Sequence, residues 1–288
     1  MSAQATHFGF VQFDLPGRLG LDDGRYLMRR ESDEAETVVV VQTLGVAAFE
    51  RRSRRRRSRR ASSPDQPLEV PVTRLTVIPA QASDAQGAEA EFRRVTGEHE
   101  AAEAAVTAAL AAANRMLHAH RVATGDPYGH EMAREAAIVT RVGYGTGAGL
   151  AEGRWEDAVE VPQPARRHRR AEARRPQERL AAVLGGRQPI DACETLLLRA
   201  RADLDQGRTR EAALQLRVGL EALLAELPGR AGTDQQDDLA ALEQLRAPTE
   251  QAGDEAVRGE LSPARAEEVA ETLALCERVL RRRQILAE

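Results

Sequence analysis

Residues 37–44 read Thr37-Val38-Val39-Val40-Val41-Gln42-Thr43-Leu44, a nearly unbroken β-branched run of strand length. Strict alternation would mark a strand with one wet face. Four consecutive valines instead predict a central strand buried on both faces. Working outward, His7–Leu15 sets Phe8, Phe10 and Gln12 against Val11 and Phe13 and stops at Pro16-Gly17, which reads as a short strand. Asp22-Asp23-Gly24 is a turn signal, and Arg25–Arg30 continues as a second strand. Leu68–Ile78 gives a fourth, with Pro71 marking an edge or an irregular start. Short connections leave no room for crossover helices, so antiparallel order is expected.

Ser83 followed by Gln86 forms a capping-box pattern, and a long Ala-rich helix is predicted to run to about Val122. Val106, Leu110, Ala113 and Leu117 form its buried stripe. Ala136–Val142 and Arg154–Val161 read as two further strands joined by a glycine-rich connection. No aromatic residue follows Trp155, and the chain beyond it is built from helix-favouring Leu, Ala, Arg and Glu. Helices are predicted near 176–185, 189–205, 209–227, 234–246 and 263–284, with Pro176, Pro189 and Pro263 in first turns. Val269, Leu273, Cys276 and Leu280 form one apolar seam; Ala213, Leu216, Leu220, Leu223 and Leu227 form another. The expected fold is therefore α+β, a small mostly antiparallel sheet with one long helix, followed by an all-α helical bundle. The expected boundaries are an α+β domain over 1–162 with a disordered Arg-rich loop at 51–66, a charged linker over 163–175, and a bundle over 176–288.

All 41 basic side chains are arginine. The absence of lysine excludes a Walker-type phosphate lysine, a Schiff-base lysine and the phosphate-pairing lysine of kinases. It also fits a GC-rich coding sequence, and the expectation is a bacterial cytoplasmic protein. No apolar run approaches the ~20 residues of a membrane span. The formal net charge is −4, but the run 51–60 carries +8 and the run 166–175 carries +5, so the rest of the chain is strongly acidic.

Those two runs are the candidate nucleic-acid contacts: Arg51, Arg52, Arg54, Arg55, Arg56, Arg57, Arg59 and Arg60 in the first, Arg166, Arg167, Arg169 and Arg170 in the second. Guanidinium groups so close together repel and cannot pack, and each could neutralise a phosphate. No aromatic is interleaved, which argues against base stacking and sequence reading. The stretch Gly143-Tyr144-Gly145-Thr146-Gly147-Ala148-Gly149 lacks phosphate-loop spacing and reads as a flexible hairpin connection. Cys193 and Cys276 lie on apolar helix faces and read as buried free thiols.

The segment from His118 to His130 holds the densest set of chemically able side chains. His118 and His120 are two positions apart on a helix, so they point to nearly opposite sides and cannot share a metal. The Arg115-x4-His120 spacing is similar to the motif of HEPN-type ribonucleases, and that resemblance implies a hydrolase or nuclease in which the arginine and histidine serve strand cleavage. Met116 departs from the polar residue usual there. Asp126 and Tyr128 complete this candidate constellation. Leu196–Pro228, with Gly207, Ala212, Leu216 and Gly219, resembles one tetratricopeptide unit, which implies a helical hairpin; no tandem array follows. No complete catalytic set is legible, and neither a cofactor nor a metal is expected. The function expected is a protein-interaction or scaffold role through the bundle, by a partner or by self-association. Non-sequence-specific RNA or DNA binding through the arginine runs is the alternative, and no membrane contact is expected.

Overall fold

The computed structural model describes residues 6–29, 35–45, 70–162, 170–227 and 236–286. The chain divides into two compact units, Met1–Ala165 and Arg166–Glu288.

The first unit is a six-stranded antiparallel sheet with its two long helices on one face, the α+β fold expected. Its strands are β1 (His7–Pro16), β2 (Gly24–Arg29), β3 (Ala35–Leu44), β4 (Val72–Pro79), β5 (Val139–Thr146) and β6 (Asp157–Glu160), in the order β2-β3-β4-β1-β5-β6. Strands β2, β3 and β4 pair in succession and β1 lies beside β4, a Greek-key arrangement. The connection from β1 to β2 therefore passes the ends of β4 and β3. Gly17 N–H donates to the Pro71 carbonyl at 2.7 Å, Thr73 Oγ1 donates to the Gly17 carbonyl at 2.7 Å, and Asp23 Oδ1 accepts from Thr43 N–H at 2.8 Å. β3 is interior and buried on both faces as its valines require. Val39 and Val41 join the main core, while Val38 and Val40 join a smaller cluster on the opposite face. Pro71 precedes an interior strand, so it marks an irregular start and not an edge.

The main core lies under two helices, α1 (Ala85–Gly97) and α2 (His99–Thr124), where the sequence reads as one. The break is at Glu98, whose backbone is extended (φ −119°, ψ 117°). The cap of α1 is Asp84, one residue past the expected Ser83, and its side chain accepts from Gly87 N–H at 2.7 Å. Val106, Ala109, Ala113 and Leu117 of α2 pack on Val11, Phe13, Val39, Val77 and Val142.

β5 starts three residues later than the sequence predicts and runs through Gly143 and Gly145. Gly143 and Gly145 therefore belong to the strand, while Gly147 and Gly149 lie in the short helix α3 (Gly147–Ala151), inside the connection that joins β5 to its antiparallel partner β6. Segment 147–156 folds over the open face of the sheet, where Leu150 packs with Phe10, Val40 and Ile78, and Trp155 stacks against Phe10 at 5.9 Å.

The second unit contains α4 (Arg170–Leu184), α5 (Ala192–Asp205), α6 (Thr209–Glu226), α7 (Gln236–Arg258) and α8 (Pro263–Leu286). α5 and α6 form the hairpin expected from the tetratricopeptide-like stretch, closed by Gly207 at φ 73°. Both predicted seams are buried: Leu216, Leu220 and Leu223 of α6 meet Val269, Leu273 and Cys276 of α8 in one core. α7 continues past Arg246, with Pro248 inside it. A proline there costs about 3 kcal/mol on propensity grounds, but Thr249, Ala252, Gly253 and Ala256 beyond it are buried and hold the helix together. Likewise Pro176 lies within α4, and Pro189 precedes the Asp191 cap of α5 instead of occupying its first turn.

Candidate functional site

Arg51, Arg52, Arg54, Arg55, Arg56, Arg57, Arg59, Arg60, Arg166, Arg167 and Arg169 lie outside the described residues, and Arg170 opens α4 with its side chain outside them too. The titratable cluster at the end of α2 is described in full. The helix ends at Gly125, in the left-handed region at φ 66°. Asp126 Oδ1 then accepts from Tyr128 N–H at 2.9 Å, and Gly129 lies so close to Arg121 that a Cβ there would meet its Cγ at 3.1 Å. Asn114, 1% exposed, fixes the returning chain by exchanging hydrogen bonds with the backbone of Met132 at 2.9 and 3.0 Å.

The result is a shallow cleft of about 290 Å³ lined by Leu117, His120, Arg121, Asp126 and His130 among others. The sequence reading brings Arg115, His120, Asp126 and Tyr128 into one constellation; of these only His120 and Asp126 line the cleft. Arg115 reaches Glu36 on β3 at 3.3 Å, and Tyr128 is 81% exposed. His118 turns away toward Glu131, at 3.7 Å, as the helical spacing requires. The carbonyl end of α2 brings negative partial charge to the cleft, which suits protonated imidazole and guanidinium groups and opposes an anion. Among the described residues, no group of three His, Cys, Asp or Glu is placed to hold a metal ion.

A histidine–carboxylate pair of the kind that orients a general base does exist elsewhere. His7 Nε2 lies 2.8 Å from Glu156 Oε1, across 149 positions of sequence. His7 is only 7% exposed, however, and its Nδ1 is buried without a hydrogen-bond partner. One ring nitrogen is engaged and the other is sealed, so this pair clamps β1 to the segment before β6 and offers no open base.

A polar cluster on the sheet was not legible in the sequence. On the face opposite α1 and α2, Asp14 accepts two hydrogen bonds from Arg74, at 2.7 and 2.9 Å, and one from Arg141 at 2.8 Å. Gln12 sits beside them, 1% exposed, donating to Thr76 Oγ1 at 3.0 Å; Arg74 also lies 5.7 Å from the Trp155 ring centroid. Burial acts to raise the pKa of Asp14, but the hydrogen bonds from Arg74 and Arg141 outweigh it and hold the carboxyl below its ordinary value. The signal available in the sequence is Gln12 and Asp14 sharing strand parity with Phe8 and Phe10.

In the second unit, Cys193 and Cys276 are both fully buried, and desolvation pushes both thiols upward, Cys276 to about 12, so neither is a nucleophile at neutral pH. Ion pairs tie α6 to α7: Arg217 to Asp254 at 2.7 Å and Arg246 to Glu221 at 2.6 Å, around a cleft of about 330 Å³ floored by Leu220 and Thr249. Leu214 and Val218, one turn apart on α6, remain 36% and 54% exposed. Arg210 Nε donates to the Ala256 carbonyl, Arg217 reaches Asp254 and Arg246 reaches Glu221, so the two helices run antiparallel and Val257 of α7, 64% exposed, lies near the start of α6, about one turn from Leu214. No protein-family model, no curated protein and no solved structure matches this chain.

Proposed function

We infer that this is an interaction or scaffold protein that associates through its helical bundle, with a second copy as the first occupant to test. The observation that carries the reading is the apolar stripe of Leu214, Val218 and Val257, left outside a bundle whose own core is already filled. Isolated exposed apolar residues are ordinary, but three on successive turns of two paired helices line up as a stripe. Arginines and carboxylates border it on both helices, so each sign has an opposite to meet in a two-fold pairing. Sedimentation equilibrium over a wide concentration range is expected to show mass rising above the monomer. The double variant Leu214→Glu, Val218→Glu is expected to remain helical by circular dichroism while losing that rise. A wild-type chain that stays monomeric at every concentration contradicts self-association.

Electrostatic binding of RNA or DNA is the second reading, supported by the charge of +8 in residues 51–60. Here affinity for a single-stranded homopolymer should fall by orders of magnitude between low and moderate salt, and deleting residues 51–60 should flatten the dependence of log K on log salt. Equal slopes for the two proteins would reject it.

A further inference from the structure

We propose that a second copy docks on the α6–α7 face in one register, turned over about a two-fold axis that crosses both helices at right angles near Val218. This deepens the interaction reading above and rests on it. Leu214, Arg217, Val218, Glu221 and Ala225 follow one another at i, i+3, i+4, i+7 and i+11, so they share one face of α6. Arg246 and Glu250 share a face of α7 in the same way. With Arg217 and Glu221 they line the cleft of about 330 Å³ between the helices.

Each helix thus contributes one arginine and one glutamate, and the antiparallel pairing sets them at the four corners of the cleft. Arg217 stands opposite Glu250, at 3.4 Å, and Glu221 opposite Arg246, at 2.6 Å. The midpoint of Arg217 and Glu221 is therefore level with the midpoint of Arg246 and Glu250. That coincidence selects the occupant. A half-turn about an axis through both midpoints lays the partner's Glu221 over Arg217 and the partner's Glu250 over Arg246, and the reverse. A copy of this chain then matches all four charges at once, the condition for a closed two-fold contact. A foreign partner has no need of that symmetry.

The same half-turn places Val218 beside the partner's Val218, and Leu214 beside the partner's Ala225, which is exposed. A half-turn about an axis along the helices would also match charge, Arg217 meeting the partner's Glu250. It would, however, lay Val218 and Leu214 on the carboxylates of Glu250 and Asp254, which opposes it. The arginines keep their in-chain partners in the proposed contact. A guanidinium carries more N–H groups than one carboxylate can take. Arg217 commits Nη1 to Asp254 and Nη2 to Glu250, and Arg246 commits Nε and Nη2 to Glu221. Their side chains are 36% and 53% exposed, so the remaining N–H groups can reach a second carboxylate.

The test is sedimentation equilibrium of the intact chain, with two single charge reversals whose helicity is checked by circular dichroism. Arg217→Glu sets like charge against the partner's Glu221 twice, and Glu221→Arg does so against the partner's Arg217 twice. Each alone is expected to self-associate at least about tenfold more weakly than the wild type. Mixed in equal amounts, the two variants oppose Glu with Arg at both places, and association should return to within about threefold of the wild type. Damage within either chain cannot be repaired by mixing, so recovery reports a contact between copies. A mixture as weak as its components, beside a wild type that does self-associate, would overturn this register and leave the reading above standing. Recovery of Arg217→Glu by Glu250→Arg instead would assign the other axis and overturn it too. A wild-type chain that is monomeric at every concentration would remove both.

Discussion

Asp14→Ala is expected to destabilise the first unit by about 3 kcal/mol, because it strands the partly buried Arg74 guanidinium on a sheet face and leaves Arg141 only Glu160 and Gln12. The side chains of Arg74 and Arg141 are 18% and 20% exposed, so water reaches them only in part, and Asp14 supplies three of the hydrogen bonds that hold them. That residual exposure sets the expectation at the lower end of what breaking a buried pair costs. The same pair makes stability depend on pH. The Asp14 carboxyl titrates below its ordinary 3.8 when folded, so its contribution is complete above 3.8 and is lost as pH falls through the lower folded value. Urea unfolding followed by tryptophan fluorescence isolates this unit, because Trp155 is the chain's single tryptophan and packs beside Arg74. The gap between wild type and Asp14→Asn should be widest near neutral pH and should close as the pH drops below 3.8. A gap that is small at pH 7, or that does not change with acid, would mean that the arginines are held by something other than Asp14.

The fold was legible where local pattern and tertiary environment agree. Thr37–Leu44 reads as an interior strand because nothing but two buried faces accommodates four valines in a row. The bundle seams read correctly because one helix face meets one core. Reading failed where packing overrides local preference. Pro248 argues for a helix end, and the buried residues just beyond it carry α7 onward. The Ala-rich stretch contains no proline, so the extended backbone at Glu98 has no signal strong enough to place a break. The candidate sites were less legible still, because their partners are far apart along the chain. Asp14 meets Arg74 and Arg141 across 60 and 127 positions, and His7 meets Glu156 across 149. A motif scan works on spacing within a few turns, which is why it finds Arg115 and His120 and passes over these pairs. Arg115 and His120 then diverge, because five positions along a helix turn through one full turn and about 140° more around its axis.

Gly143 should be the least replaceable glycine of the sheet, and Gly143→Ala is expected to cost about 3 kcal/mol, the upper part of the usual overpacking range. A Cβ at this position would stand 2.5 Å from the Asp157 carbonyl and 2.6 Å from the Phe10 ring. The carbonyl belongs to the neighbouring β6 backbone and cannot withdraw without opening the β5–β6 ladder. The ring cannot withdraw freely either, since Phe10 is 2% exposed and packs against Trp155. Gly145→Ala should be milder, because its nearest contacts stand at 3.1 Å or more and include the flexible end of Leu150. Gly9 is the internal control. It pairs with Tyr144 in the same sheet, but an added Cβ meets nothing closer than 3.9 Å, so Gly9→Ala should stabilise by about 0.5 kcal/mol through lower unfolded-state entropy. Tryptophan-detected urea midpoints should therefore rank Gly9→Ala above wild type, then Gly145→Ala, then Gly143→Ala. If the run 143–149 were the pliant connection its composition implies, all three substitutions would fall within a few tenths of a kcal/mol of each other. An order set by the Cβ distances instead makes Gly143 a packing glycine, kept small so that β6 and the Trp155 segment can close over Phe10.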